Sequence, residues 1–476
     1  MKKNKNLVFD VEENPKKLSQ WILFSIQHIL AMLVACITVP LIMGNSVANG
    51  GVGVTFPIGA TLIGAGVGTI IYTFITRKKS PVFLSSSFAY LAPMVSALTL
   101  GVIDNGLAGK YDLNYWALII GMAIVGVIYV VIALIIKFVG TKWLNKLLPP
   151  VVIGPIIMVI GLGLAGSAVN NISSVAVAGG NSLMSVLIGL VAVIITAVCS
   201  HYGKKMISLI PFVCGMGGAY ILAVILTLIG IACNQTWLQI VDFSPFTNAD
   251  WGNISTYINT DFILGRAIKQ TVPFEAGQIL SVFIIFAPVA VVTICEHIGD
   301  HKNLGNIIDR DLINDEPGLS KTLIGDGLAT AASGIICGAA NTTYGENVAV
   351  IGVSKIASIN VIIVAAILSI VLGFFGPLTL LLSTIPACIT GGVSLILYGF
   401  IASSGVKMLI NEKVDFSITK NVIVASVILV SGIGGLAISI GSATITSTAM
   451  SMILGIALNL ILRDKKAEEI KDSPQE

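Results

Sequence analysis

The chain has 476 residues, of which 55% are apolar and only 11% are Asp, Glu, Lys or Arg. Soluble proteins carry about 25% charged residues, so this composition excludes a soluble enzyme, a disordered chain and a collagen. The net charge of +3 gives no footing for nucleic acid, and 49 glycines suit closely packed membrane helices. The sequence predicts an all-α polytopic membrane protein.

Charge-free runs at 21–76, 147–203, 356–406 and 421–462 each exceed the ~20 residues that one span needs, so each holds at least two helices. In chain order the expected segments are about 20–42, 53–76, 82–98, 115–138, 149–167, 181–199, 207–232, 278–300, 320–337, 343–356, 358–375, 380–404, 418–437 and 441–462, fourteen in all. The first 17 residues mix five lysines with Asp10, Glu12 and Glu13, which predicts a solvated tail and not a signal peptide. With that tail in the cytoplasm, 24 of the 27 Lys and Arg fall on the cytoplasmic side, and only Lys110, Arg266 and Lys269 lie outside. The positive-inside bias therefore supports fourteen spans with both termini cytoplasmic. The polar stretch 233–277 is expected outside, with Trp237, Trp251 and Tyr257 as interfacial anchors. His201 is expected in a loop beside Lys204. The seven cysteines form no C-x-x-C and suit small buried apolar sites, so no metal and no cofactor is expected.

Fourteen spans divide as seven plus seven, which requires inverted topology. Gln27-His28 is echoed by Glu296-His297, and Pro150 and Pro386 each precede a glycine-rich span. The third span of each half is short and polar: Pro81-Val-Phe-Leu-Ser-Ser-Ser-Phe88-Ala-Tyr90 and Ala340-Asn-Thr-Thr-Tyr-Gly-Glu346-Asn347. Both make poor continuous helices, and interrupted spans at matching positions of inverted repeats point to a transporter's substrate site. His28, Glu296, His297, Asp300, Asp326 and Glu346 are the ionisable residues of the spans. A charge at membrane depth costs about 2.5–3.5 kcal/mol, so each needs a reason. Glu296 and Asp300, four apart, share one helix face. Asp326, in Gly-Asp-Gly, reads as a structural cap. His28 leaves a cross-helix hydrogen bond and a functional role equally open.

Asn341-Thr-Thr-Tyr-Gly-Glu-Asn347, Glu296-His-Ile-Gly299, Gln27-His28, Ser86-Ser-Phe-Ala89, Gly391-Gly392-Val393-Ser394-Leu395 and Leu397-Tyr398-Gly399 together resemble the nucleobase–ascorbate transporter (nucleobase/cation symporter-2) family. The similarity runs from about residue 18 to 463 and is strongest to the bacterial uracil permease branch. The resemblance implies two inverted seven-span repeats with short β-strands in broken spans 3 and 10. A core domain would comprise spans 1–4 (18–140) and 8–11 (278–378), and a gate domain spans 5–7 (141–232) and 12–14 (379–462). An extracytoplasmic loop, 233–277, and cytoplasmic tails, 1–17 and 463–476, complete the chain. It further implies a homodimer in the plasma membrane that takes up uracil with protons by alternating access, and no enzymatic activity. By position, Glu296 and Glu346 match the substrate carboxylates, and the backbone amides of Phe88 and Gly345 match donors to the substrate carbonyls. Ala35, Tyr344 and Tyr398 match pocket walls. Candidate proton carriers are Glu296, Asp300, Glu346 and His28.

The chemistry is consistent without the family. Uracil presents two N–H donors and two carbonyl acceptors around a flat ring; carboxylates accept from the former and free amides donate to the latter. Each unmade buried hydrogen bond costs about 1–3 kcal/mol. Asp300 departs from the uracil branch, which commonly has His there, and agrees with purine-carrying relatives, so a xanthine or uric acid permease is the alternative. A membrane metalloenzyme around Glu296, His297, Asp300 and His301 is the alternative from another class, but there is no H-E-x-x-H and no second ligand cluster. An anion exchanger would present a basic site, and no Lys or Arg lies deep in either broken span.

Overall fold

The computed structural model describes residues 7–47, 56–102, 111–204, 207–441 and 443–462. Helices α1 (Leu18–Val47) and α2 (Ile58–Ile75) precede strand β1 (Leu84–Ser86), α3 (Leu91–Leu98) and α4 (Tyr115–Val139). Then come α5 (Lys142–Leu147), α6 (Pro150–Gly163), α7 (Ala165–Ile172), α8 (Ser182–Tyr202) and α9 (Pro211–Ala232). The polar stretch carries three short helices, α10 (Ser244–Thr247), α11 (Ile254–Tyr257) and α12 (Ile263–Ile268). The second half runs α13 (Gln278–Ile308), α14 (Gly318–Ile336), β2 (Asn341–Thr343), α15 (Gly345–Ser354), α16 (Ile359–Phe374), α17 (Gly376–Ser383), α18 (Ala387–Asn411) and α19 (Thr419–Ile433). It ends on β3 (Ile438–Ile440), β4 (Ala443–Ile445) and α20 (Ser447–Ile461).

Eight helical stretches among the described residues are long and apolar enough to cross a membrane. Local chemistry sets their ends. Asn114 Oδ1 accepts from the Ala117 N–H at 3.0 Å to start α4, and Asn181 Oδ1 from the Leu183 N–H at 2.8 Å to start α8. Pro150 and Pro211 occupy first helical positions, where a missing N–H costs nothing.

Helices α2, α4, α14 and α16 pack on one another, with α1 against α16. Helices α6 to α9 pack with α18, and α19 with α6 and α20. Small residues allow this closeness, because apolar lipid gives helices little hydrophobic drive to associate. A Cβ on Gly405 would lie 2.3 Å from the Gly154 carbonyl oxygen, and one on Gly66 2.5 Å from that of Ala366. At one end of the bundle Arg77, Lys79 and Lys321 converge on Glu316. The hydrogen bond from Lys79, followed by that from Lys321, holds the Glu316 pKa down to about 2, so it stays ionised at physiological pH.

The structure corrects four expectations. Of the expected solvated tail, residues 1–6 lie outside the described residues, and residues 7–11 are packed instead: Val8 N–H donates to Lys355 O at 2.8 Å, Ala357 N–H to Phe9 O at 2.8 Å and Ile359 N–H to Val11 O at 3.0 Å. Val11 is buried, and Asp10 pairs with Arg310 at 2.9 Å. Its apolar run is too short for any helical period, yet it suffices for one strand-like strap. His201 is not in a loop but in the last turn of α8. Asp326 caps nothing; it lies in the middle of α14. The segment expected to begin a helix at 441 opens as a hairpin, β3 with β4, turning at Gly441 with φ +60°. Alternating Ile, Ser and Thr there favour a pleated strand over a helix.

Placing a carboxylate at Val11 would leave it buried without a cation of its own. Val11→Asp is expected to lower the melting temperature of the purified protein clearly, since an unpaired buried polar group costs ~2 kcal/mol or more. A melting temperature equal to the parent's would mean that the strap carries no stability.

Candidate functional site

Strands β1 and β2 pair antiparallel, Leu84 opposite Thr343, Ser85 opposite Thr342 and Ser86 opposite Asn341. Pro81 and the Ser-rich run after it disfavour helix, and so does the Asn-Thr-Thr run. Broken backbone among apolar helices must be satisfied internally. The two breaks do this for each other, and α2 and α14 help. Thr69 Oγ1 accepts from the Leu84 N–H at 2.9 Å, Asn341 Nδ2 donates to Gly64 O at 2.9 Å, and Thr330 Oγ1 donates to Asn341 O at 2.7 Å. The last bond of the ladder runs from the Ser87 N–H to Ala340 O at 2.8 Å, one residue before Phe88.

Beyond that pair lies a cavity of about 360 Å³. Ligand pockets run roughly 300–1,000 Å³, so this one suits a small ligand. Phe88, Glu296, Asp300, Tyr344, Gly345 and Glu346 line one side. Ile157 of α6 and Ser403, Ser404 and Lys407 of α18 line the other. Glu296, Gly299, Asp300 and Asn303 reach it because they recur on one face of α13. Glu346 stands in the first turn of α15, where the helix N-terminus favours a negative charge, and Gly345 opens that helix, so its N–H has no intrahelical acceptor.

Buried polar atoms in proteins nearly always have partners. Here Glu296 Oε2, Glu346 Oε1 and the Tyr344 hydroxyl are buried and bond to nothing among the described residues. Asp300 is engaged, accepting from Thr343 Oγ1 at 2.7 Å. The site can thus accept hydrogen bonds from a small donor-rich ligand, and its acceptors are acidic. A larger cavity, about 690 Å³, lies beside Phe56, Asn259, Asp261 and Arg266. Its Arg266 is committed to Asp261 through Nε at 3.0 Å and Nη2 at 2.7 Å.

Three expected site residues stand off the wall. Ala35 is buried within α1. Tyr398 meets the site through Phe88, edge-on at 5.3 Å between ring centroids. His28 Nδ1 lies 3.0 Å from Asn347 Oδ1 and so supports the residue after Glu346. The sequence reading missed Thr342, Ser403, Ser404 and Lys407. A Ser-Ser pair in an apolar helix, about one and a half turns beyond Tyr398, was the available signal.

Helices broken toward a common acidic cavity, in a bundle of apolar spans, define a multi-pass membrane transporter. Similarity to known proteins gives the family. The profile of the Permease family matches residues 19–441. The chain is 39% identical to the uracil permease of Bacillus caldolyticus over 98% of both chains. It is 35% identical to that of Bacillus subtilis (strain 168) over 100% of this chain and 99% of the other, and 34% identical to that of Escherichia coli (strain K12) over 95% and 93%. The chain belongs to the nucleobase–ascorbate transporter family of permeases. Its fold is shared with the transmembrane domain of the cyanobacterial bicarbonate transporter BicA (TM-score 0.56, 15% identity, 94% and 98% covered). It is shared also with the murine anion transporter Slc26a9 (TM-score 0.61, 10% identity, 94% and 69% covered).

Proposed function

We propose that this permease takes up uracil with protons across the plasma membrane. The observation that carries the reading is the pair of buried, unpartnered carboxylate oxygens of Glu296 and Glu346 in one small cavity. They would accept from the two uracil N–H groups, while the amides of Phe88 and Gly345 donate to its carbonyls. Tyr344 would wall the ring directly, and Ala35 and Tyr398 from behind. Relatives named uracil permeases, at 34–39% identity, support the same substrate.

The fold reading that goes with it is fourteen spans in two inverted seven-span repeats, with core and gate moving by alternating access. The separate packing of α1, α2, α4, α14 and α16 and of α6 to α9 with α18 supports that division. The Lys and Arg distribution supports cytoplasmic termini. On that orientation the cavity, which runs toward Asn303 and Lys407, faces the cytoplasm. Glu296, Asp300 and Glu346 are the carboxylates that would carry the proton, with His28 supporting them, and the gate would form the homodimer.

Asp300 in the cavity wall favours a second reading, a xanthine or uric acid permease. Competition against labelled uracil in vesicles holding only this protein separates the two. A purine adds a ring and further polar edges, each of which needs a partner that a donor and acceptor set matched to one ring does not supply. One extra methyl is worth only ~1–3 kcal/mol. 5-Fluorouracil is therefore expected to compete well, thymine weakly and xanthine hardly at all. Xanthine competing as well as 5-fluorouracil would transfer the chain to the purine carriers.

A further inference from the structure

The face of α13 turned away from the cavity carries a second cluster. His297 Nδ1 lies 2.8 Å from Asp326 Oδ2, and His297 Nε2 lies 3.0 Å from Thr322 Oγ1. All three side chains are fully buried. The His301 ring stacks on that of His297 at 4.0 Å. His301 Nδ1 donates to the His297 carbonyl at 2.8 Å, and its Nε2 meets the Tyr72 hydroxyl at 2.6 Å. The flanking glycines of Gly-Asp-Gly let neighbouring helices close over the cluster. A Cβ on Gly325 would lie 2.9 Å from Tyr72 Cδ2, and one on Gly327 2.5 Å from Tyr129 Cβ.

The hydrogens in this cluster can be counted. Thr322 has one hydroxyl hydrogen, and Leu319 O lies 3.0 Å from the same oxygen. When Thr322 donates to Leu319 O, His297 Nε2 must carry a hydrogen. The hydrogen between Nδ1 and Asp326 then makes either an imidazolium with a carboxylate or a neutral imidazole with a carboxylic acid. Both hold one proton more than the state in which Thr322 turns its hydrogen to Nε2. Rotation of one hydroxyl therefore accommodates the gain or loss of one proton, and the proton belongs to the pair. Asp326 Oδ1 bonds to nothing among the described residues, so the carboxyl has no second donor to hold it ionised.

The titratable groups around the pair are Glu296, Asp300 and His301 on α13, Tyr72 on α2, Tyr129 on α4 and Tyr90 ahead of α3. Among the described residues no Lys or Arg forms an ion pair with Asp326. The stacked His301 disfavours a second imidazolium, which limits the cluster to one added charge. Glu296 and His297 are consecutive, so a shift of α13 as Glu296 engages a ligand also moves the His297 ring against Asp326 and Thr322.

We propose that the His297–Asp326 pair is a proton-binding site of the transport cycle, distinct from the substrate carboxylates and set behind them on the opposite face of α13. The proposal rests on the proton-coupled reading above. The test is Asp326→Asn in proteoliposomes, measuring uracil accumulation with and without an inside-alkaline gradient, and uracil exchange at equal pH. The ratio of accumulation with the gradient to that without it is expected to fall toward one, at least fivefold below the parent's, while exchange falls much less. A ratio equal to the parent's overturns the proposal. An equal loss of exchange and accumulation also overturns it, because the pair is then a structural clamp. A parent that ignores the pH gradient overturns the proton-coupled reading itself. Should the variant not fold, ¹⁵N-histidine spectra of the parent decide: a His297 ring that shows no change between roughly pH 5 and 9 overturns the proposal.

Discussion

Glu346→Gln is expected to weaken uracil binding by two orders of magnitude or more while the protein still folds. The carboxylate offers two acceptor oxygens, and Oε1 is buried with no partner among the described residues. The amide keeps one acceptor and sets an NH₂ group where the other stood, against a substrate N–H. A hydrogen bond to a charged group contributes about 1.5–3 kcal/mol, and a buried donor left unpaired costs about 1–3 more. At 1.4 kcal/mol per tenfold, the sum comes to roughly two to four decades. Folding is spared because Glu346 sits in the cavity wall and its Oε1 holds no other helix among the described residues. Equilibrium binding of labelled uracil to the purified variant checks this. Binding as tight as the parent's would remove Glu346 from the substrate and with it the proposed pose.

Gly392→Val is expected to prevent assembly of the α8–α18 contact. A Cβ there would lie 2.2 Å from the Gly189 carbonyl oxygen and 2.9 Å from its carbon. These are backbone atoms of α8, so no side-chain rotation relieves the overlap, and the two helices must separate. Overpacking a tight interior costs typically 1–3 kcal/mol, and more where backbone blocks relaxation. Gly399→Ala on the same helix is the control, since among the described residues nothing lies within 4 Å of its added Cβ. Size-exclusion profiles and melting temperatures should show loss of the monodisperse protein for Gly392→Val and parent-like behaviour for Gly399→Ala. A stable, monodisperse Gly392→Val would mean that α8 and α18 do not approach as described.

Much of the site was legible because it is local. Glu296 and Asp300 reach one cavity for the reason their spacing gives, a shared face of α13. The breaks at Ser85 and Thr342 follow from Ser, Thr and Pro content that no apolar helix tolerates well. Ala35 and Tyr398 were placed by resemblance, which carries a role but not the packing that decides whether a side chain reaches the cavity wall; His28 stood out only as an ionisable residue in a span, with a cross-helix hydrogen bond left open. His28 spends its ring on Asn347, 319 residues away in the chain.

The sequence by itself determined that the chain spans a membrane many times, where its helices break, and which acidic residues share a face. These follow from composition, hydropathy and the 3.6-residue period, properties of a segment considered alone. Tertiary structure alone decided that β1 pairs with β2, that residues 7–11 strap the segment after Lys355, and that Asp326 meets His297 behind the site. It also brought Ser403, Ser404 and Lys407 opposite the carboxylates. Each of these joins segments far apart in the chain, and hydropathy, a property of one segment at a time, carries no record of which segments meet.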